Sequence, residues 1–144
     1  MPKTDIIVVD DDYMVGELSR DLLTEAGFSV LVVQDSLQAI PAIKAAMPRL
    51  VIMDIMMPGL SGLDICKTLK ADPALRHIKI IICSAKAYEV EKQRALRLGA
   101  DFFLAKPYDV RTYPQTVKNI LQNSGEAGGG PPPPPPSPPP PKPR

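Results

Sequence analysis

Five short apolar runs alternating with five amphipathic segments predict an α/β domain: a doubly wound parallel sheet of five strands with helices on both faces. Three observations carry that prediction. The runs are short, near-continuous and rich in β-branched residues, as strands buried on both faces should be. The intervening segments place apolar residues at helical spacing. Breakers separate the two kinds of segment: Gly27, Gly99 and Asp72-Pro73.

The first strand is Ile6-Ile7-Val8-Val9, leading into Asp10-Asp11-Asp12. Val15, Leu18, Leu22 and Ala26 then recur at helical spacing, and Gly27 fits a left-handed cap. Phe28 to Val33 is the second strand. Ser36 can cap a helix running to about Met47, with Leu37, Ile40, Ile43 and Met47 on one stripe; Pro41 inside it implies a kink or a late start. Leu50 to Met53 is the third strand and ends at Asp54. A loop with Pro58, Gly59 and Gly62 leads into a helix from about Leu63 to Lys70. Ile78 to Cys83 is the fourth strand, Glu89 to Leu98 the fourth helix, and Phe102 to Ala105 the fifth strand. The last helix carries Val117, Ile120 and Leu121. Thr112 as its cap places Pro114 in the first turn, where a missing N–H costs nothing.

The chain has 144 residues, 44% of them hydrophobic and 23% charged, the composition of one globular domain. Its distribution is uneven. From Ser124 to Arg144 there are 21 residues, 11 of them proline and 4 glycine, with too little apolar surface to offset ordering entropy. The expected division is a folded domain over 1–123 and a Gly/Pro-rich tail over 124–144. Without Lys142, Arg144 and Glu126 the folded part carries 15 basic and 15 acidic residues, which argues against nucleic acid or an anionic membrane as main partner. No apolar run approaches the ~18 residues of a membrane span, and a four-residue apolar run near the N-terminus is too short for a signal-peptide core. Cys66 and Cys83 form no disulfide framework. The expectation is a cytoplasmic protein with reduced thiols.

In sheets of this kind ligands bind at the carboxyl ends of the strands, beside the switch in strand order. Those ends carry Asp10-Asp11-Asp12, Asp54, Ser84 and Lys106-Pro107. Carboxylates gathered there repel one another unless a cation intervenes, and a hard divalent ion such as Mg²⁺ suits a few carboxylates with retained water. One ammonium and one hydroxyl then suit the remaining oxygens of a phosphoryl group. Each element alone has a plainer reading: a helix cap, a turn aspartate, a Lys-Pro turn, a solvated serine. What matters is that four strand ends carry these groups together.

Several segments taken together carry a resemblance. They are Ile6-Ile7-Val8-Val9-Asp10-Asp11-Asp12, Val51-Ile52-Met53-Asp54-Ile55-Met56-Met57-Pro58-Gly59 with Gly62, and Ile81-Ile82-Cys83-Ser84-Ala85. Gly99-Ala100-Asp101 and Phe103-Leu104-Ala105-Lys106-Pro107 complete the set. Over about residues 4–122 the sequence resembles the receiver domain of bacterial two-component response regulators, the fold of the single-domain chemotaxis regulator. The resemblance implies a flavodoxin-like strand order 2-1-3-4-5. It implies Asp54 as phosphoacceptor from a histidine kinase or phosphotransfer protein, Asp11 as a direct Mg²⁺ ligand and Asp10 acting largely through water. Met56 would add a backbone carbonyl to the metal, and Lys106 would pair with the phosphoryl group through a Lys106-Pro107 bond that is usually cis. Ser84 takes the hydroxyl switch position and Phe103 the switch aromatic. Phosphorylation would then change the face made by the fourth helix, fifth strand and fifth helix, which meets a protein target.

Phe103 lacks the hydroxyl of the tyrosine often found there, and Met56 and Lys86 occupy positions that tune phosphoryl lifetime in that family. Cys83 as a redox switch competes with Cys83 as a buried strand thiol, and the latter is the expectation; Cys66 reads the same way. His77 reads as a surface residue, and Met53, Met56 and Met57 as core and loop packing. A phosphatase or dehalogenase with an aspartyl nucleophile wants a second aspartate two residues on, where Met56 stands, so no enzyme is expected. Alternatives within the fold are a phosphorylation-independent adaptor and a phosphate sink. Pro131 to Pro141 should form polyproline II spanning roughly 34 Å. That tail is a docking ligand for an aromatic groove, a stiff spacer, or the start of a longer chain.

Overall fold

The computed structural model describes residues 3–84, 89–106 and 109–125. Lys86, Pro107 with its expected cis bond, and the proline-rich segment 131–144 lie outside the described residues. The strands are β1 (Ile6–Val9), β2 (Val30–Val33), β3 (Leu50–Asp54), β4 (Lys79–Ser84) and β5 (Phe102–Ala105). The helices are α1 (Tyr13–Glu25), α2 (Ala39–Ala46), α3 (Gly62–Ala71), α4 (Glu89–Arg97) and α5 (Tyr113–Gly125). All strand pairs are parallel, and the sheet runs β2-β1-β3-β4-β5, the expected order.

Strand side chains alternate between two cores. Ile7, Val9, Val51, Met53, Ile80 and Ile82 pack with Ile43, Ile65, Leu69 and Ala95, so α2, α3 and α4 cover one face. Ile6, Val8, Leu50, Ile52, Ile81 and Cys83 pack with Leu23, Tyr113, Val117 and Leu121, so α1 and α5 cover the other. The chain leaves β1 toward β2 on one side and returns to β3 on the other. That reversal opens a crevice above the carboxyl ends of β1 and β3, where Asp10 and Asp54 stand.

The structure corrects the sequence reading in several places. Of the α1 stripe Leu22 packs partly buried on the core and Leu18 is exposed; the fully buried residues are Gly16, Ser19 and Leu23. A Cβ on Gly16 would stand 2.9 Å from Val32 Cγ1, so α1 docks on β2 through its smallest side chain. The second strand begins at Val30 rather than Phe28; Ser29 O, just before it, accepts from both Asp5 and Ile6 N–H. Ser36 caps nothing. Asp35 does, accepting from Leu37 N–H over a 3-10 turn at Ser36–Gln38, and α2 starts late enough to place Pro41 in its first turn. Of the expected α2 stripe only Ile43 is buried, while Leu37 and Met47 are exposed and Met47 ends the helix in the left-handed region at φ 48°. Gly27 and Gly99 close α1 and α4 at positive φ, as expected. Met53 is core and Met57 packs against it, but the Met56 side chain is 61% exposed.

Tyr113, absent from the sequence reading of the last helix, is buried and donates from its hydroxyl to Ser19 Oγ at 3.3 Å, tying α5 to α1. Both cysteines are buried and neither is in a disulfide, and burial pushes the Cys66 thiol up to about 11. A thiol held protonated and out of solvent is a poor nucleophile. Ellman's reagent at pH 8 is therefore expected to leave both thiols untouched in the native protein and to titrate two in urea. Because the folded value lies above the ordinary one, the contribution of Cys66 to stability is complete below about pH 9 and declines as pH rises toward 11.

Candidate functional site

The aspartate triplet divides its work. Asp12 caps α1, accepting from Met14 and Val15 N–H. Asp10, immediately after β1, is tied back to the sheet by its N–H to Val33 O at 3.1 Å. Its Oδ1 accepts from Asp12 N–H at 2.9 Å and its Oδ2 from Lys106 Nζ at 2.7 Å. Asp54 ends β3; its Oδ2 accepts from Lys106 Nζ at 2.9 Å and its Oδ1 from Met56 N–H at 3.3 Å. Lys106 follows β5, held by its own N–H to Ser84 O at 2.9 Å, and reaches across β4 to both carboxylates. The Asp10 side chain is 2% exposed, and those of Asp54 and Lys106 are each 12% exposed.

Burial raises the Asp10 carboxyl above its ordinary value, against the opposing pull of Lys106 and the Asp12 N–H. Burial also works against charge on Lys106, but the hydrogen bonds and charges of Asp10 and Asp54 outweigh it and hold the ammonium more firmly protonated than usual. Asp11 is exposed beside this pair. Oxygens of Asp10, Asp11 and Asp54 all lie within 4.8 Å of one another, an oxygen-only donor set that fits a hard divalent cation.

The backbone under Asp54 is clamped. Ile55 N–H donates to Cys83 O at 3.0 Å, and Gly62 N–H donates to Ile55 O at 3.3 Å. A Cβ at Gly62 would stand 2.3 Å from Asp54 O, so α3 comes this close to the end of β3 because its first residue has no side chain. A capping box between Ser61 and Asp64 fixes the same helix end.

Ser84 is fully buried at the end of β4, one residue beyond Cys83, which faces Asp54 in the ladder. Phe103 is half-buried in β5, packed against the core on the α2–α3–α4 side. His77 is exposed. The structure thus bonds Lys106 to Asp10 and Asp54, with Asp11 within 4.8 Å of both carboxylates and Met56 N–H on that of Asp54.

Residues 6–118 match the response regulator receiver domain. The chain belongs to the response regulator receiver family. The receiver is 33% identical over 121 residues to the polar-differentiation response regulator DivK of Brucella anthropi, an alignment covering 84% of this chain and 98% of that protein. It is also 33% identical over 121 residues to the DNA-binding response regulator MtrA of Mycobacterium tuberculosis, of which it spans only 52%. A CheY-like response regulator receiver domain protein from Methanospirillum hungatei shares the fold at a TM-score of 0.81 and 21% identity, over 88% of this chain and all of that one. Receiver domains are signalling modules of two-component systems rather than classical enzymes, and they bind Mg²⁺ at an acidic pocket. Among the described residues of this receiver, no helix is long and apolar enough to cross a membrane.

Gly62 carries a role that its place in the motif does not reveal, and Asp35, not Ser36, caps the turn before α2. The pattern Ser61-x-x-Asp64 was a readable capping signal for the start of α3. Nothing in the sequence announces that Ser36 lies beside the loop after Asp54, since the two are 22 residues apart at Pro58.

Proposed function

We propose that this receiver is a phosphorylation-dependent signalling protein in which Asp54 accepts a phosphoryl group from the phosphohistidine of a sensor kinase or phosphotransfer protein. The observation that supports this most directly is the Lys106 ammonium bonded to Asp10 and Asp54 at once, beside a third carboxylate at the switch point of the sheet. An Asp54 carboxylate oxygen attacks phosphorus in line. The P–N bond breaks with its electrons on the imidazole nitrogen, and Asp54 becomes an acyl phosphate. Asp10, Asp11, Asp54 and the Met56 carbonyl would hold Mg²⁺, which supplies charge neutralisation and alignment of the phosphoryl oxygens. Lys106 exchanges its bond with Asp54 for one with a phosphoryl oxygen, and the Ser84 hydroxyl serves another.

The added charge of about −1.5 to −2 draws Ser84 toward the phosphoryl group, and Phe103 moves into the space released. The face formed by α4, β5 and α5 changes, and protein contacts carry the output in the cytoplasm. The Gly/Pro-rich tail expected over 124–144, of which α5 takes in Ser124 and Gly125, offers its prolines from 131 onward to an aromatic-lined partner groove.

Intact-mass spectrometry after incubation with acetyl phosphate and Mg²⁺ tests this. The wild type is expected to gain one phosphoryl mass; Asp54→Ala is expected to gain none, as is the wild type with a chelator. A gain that persists in Asp54→Ala overturns the assignment. No gain from either acetyl phosphate or a cognate phosphodonor overturns phosphorylation itself and favours an adaptor.

A further inference from the structure

We infer that Ser36 is a positioning residue for the divalent-cation site: it fixes the loop that aims the Met56 carbonyl, and so sets Mg²⁺ affinity from outside the site. The inference rests on the reading of Asp10, Asp11, Asp54 and Met56 as the Mg²⁺ ligands.

Ser36 is the first residue of the 3-10 turn that Asp35 caps, and it is 2% exposed. Freed from capping, its hydroxyl makes two bonds to a segment far away in sequence. It donates to Pro58 O at 2.6 Å and accepts from Leu60 N–H at 2.9 Å. One hydroxyl therefore satisfies a carbonyl and an amide of the loop between β3 and α3, and it uses its donor and an acceptor to do so. Gly59, between those two residues, has φ +91°, and a Cβ there would stand 2.8 Å from Ser36 Oγ and 3.2 Å from Leu37 Cγ. The glycine is what lets the loop lie against the serine.

These ties bear on Met56 through the chain. Ile55 is pinned at both its N–H and its C=O, to Cys83 and Gly62. Pro58 and Leu60 are pinned to Ser36. Met56 and Met57 are the short span between the two anchors, and the Met56 side chain, exposed to solvent, adds little hold of its own. Met56 N–H is itself tied to Asp54 Oδ1 at 3.3 Å and Met57 packs on the core, so Ser36 is the hold on the far side of the Met56 carbonyl, a side chain that touches no ligand. Removing a group bonded directly to a metal ligand commonly changes affinity 10–100-fold, and Ser36, which acts on Met56 through Pro58 and Leu60, is expected at the low end of that range.

Isothermal titration of Mg²⁺ into the full chain tests this, with three proteins compared: wild type, Ser36→Ala and Asp35→Ala. Asp35→Ala removes the cap of the same turn and leaves the two bonds to the loop in place. The expected result is a Kd about tenfold weaker for Ser36→Ala and unchanged for Asp35→Ala. Uptake from acetyl phosphate in Ser36→Ala should fall at low Mg²⁺ and recover at saturating Mg²⁺. Amide exchange at Leu60 should speed up in Ser36→Ala alone. A wild-type protein that binds no Mg²⁺ overturns the site reading and this inference with it. A wild type that binds while Ser36→Ala binds equally well overturns the role of Ser36 alone. Equal weakening in both variants overturns it too, because loosening of the turn would then suffice.

Discussion

Lys106→Met is expected to lower the stability of the metal-free protein by about 3 kcal/mol at neutral pH. Methionine keeps the length of the stem and removes the ammonium, which leaves Asp10 and Asp54 side by side, nearly out of solvent, with no cation between them. The loss should depend on pH in a defined direction. Burial already raises the Asp10 carboxyl, and Lys106 is the largest influence opposing it, so the variant raises it further. A carboxyl raised in the folded state supports folding fully below its ordinary value near 3.8, and that support is lost as pH rises through the raised value. Urea unfolding at pH 4.5 and pH 7.5 should therefore show the variant close to wild type at the lower pH and far below it at the higher. Added Mg²⁺ should raise the Tm of the variant more than that of the wild type, because it replaces the missing positive charge. A penalty that is the same at both pH values, with equal response to Mg²⁺, would mean that lost packing of the lysine stem is responsible.

Gly62→Ala is the second large effect. The new methyl group would stand 2.3 Å from Asp54 O and 2.9 Å from Asp54 C, and both obstacles are main chain. No rotamer change relieves such a contact; either α3 withdraws or the end of β3 shifts. The expected cost is about 3 kcal/mol, seen as a fall in Tm of roughly 10 °C. Because the displaced carbonyl belongs to Asp54 itself, uptake from acetyl phosphate should slow by about tenfold or more. Gly27→Ala is the comparison. Gly27 is the opposite case: its φ is positive, +104°, but a Cβ there meets nothing within 4 Å. That substitution should cost only about 1–2 kcal/mol of backbone strain and leave uptake unchanged. Circular dichroism melts and a mass-spectrometric time course on both variants separate the two effects.

The sheet was legible because its central strands β1, β3 and β4 are buried on both faces, although the edge strands β2 and β5 are only partly buried. A run such as Ile80-Ile81-Ile82-Cys83 leaves little room for another assignment, and the groups that follow each strand mark one rim. Helix faces were less legible, for a physical reason. Periodicity of large apolar residues pointed to Leu18 and Leu37, yet both are exposed, since α1 docks through Gly16 and Ser19 and the Asp35 turn leaves Leu37 outside. Close approach of backbones uses small residues, and hydrophobic spacing cannot register them. Ser36 and Tyr113 escaped because the value of a hydroxyl depends on a partner remote in sequence: Pro58 and Leu60 for one, Ser19 for the other. The acidic rim and its lysine were readable as chemistry, while the clamp of Gly62 on Asp54 required coordinates.

The thin attachment of α4 has an energetic consequence. Ala95 is its one buried residue, and Glu89, Val90, Gln93, Arg94, Leu96 and Arg97 all face water. Lifting this helix exposes Ala95, the partly buried Leu98 after it and the sheet surface beneath, a small apolar area beside that under the other helices. Pulling α3 away would expose Ile65, Cys66 and Leu69 together, a larger area. α4 is thus the described helix held by the fewest buried residues, set in a frame that costs far more to deform. A local charge change worth a few kcal/mol can do mechanical work on that helix and leave the rest of the domain where it was.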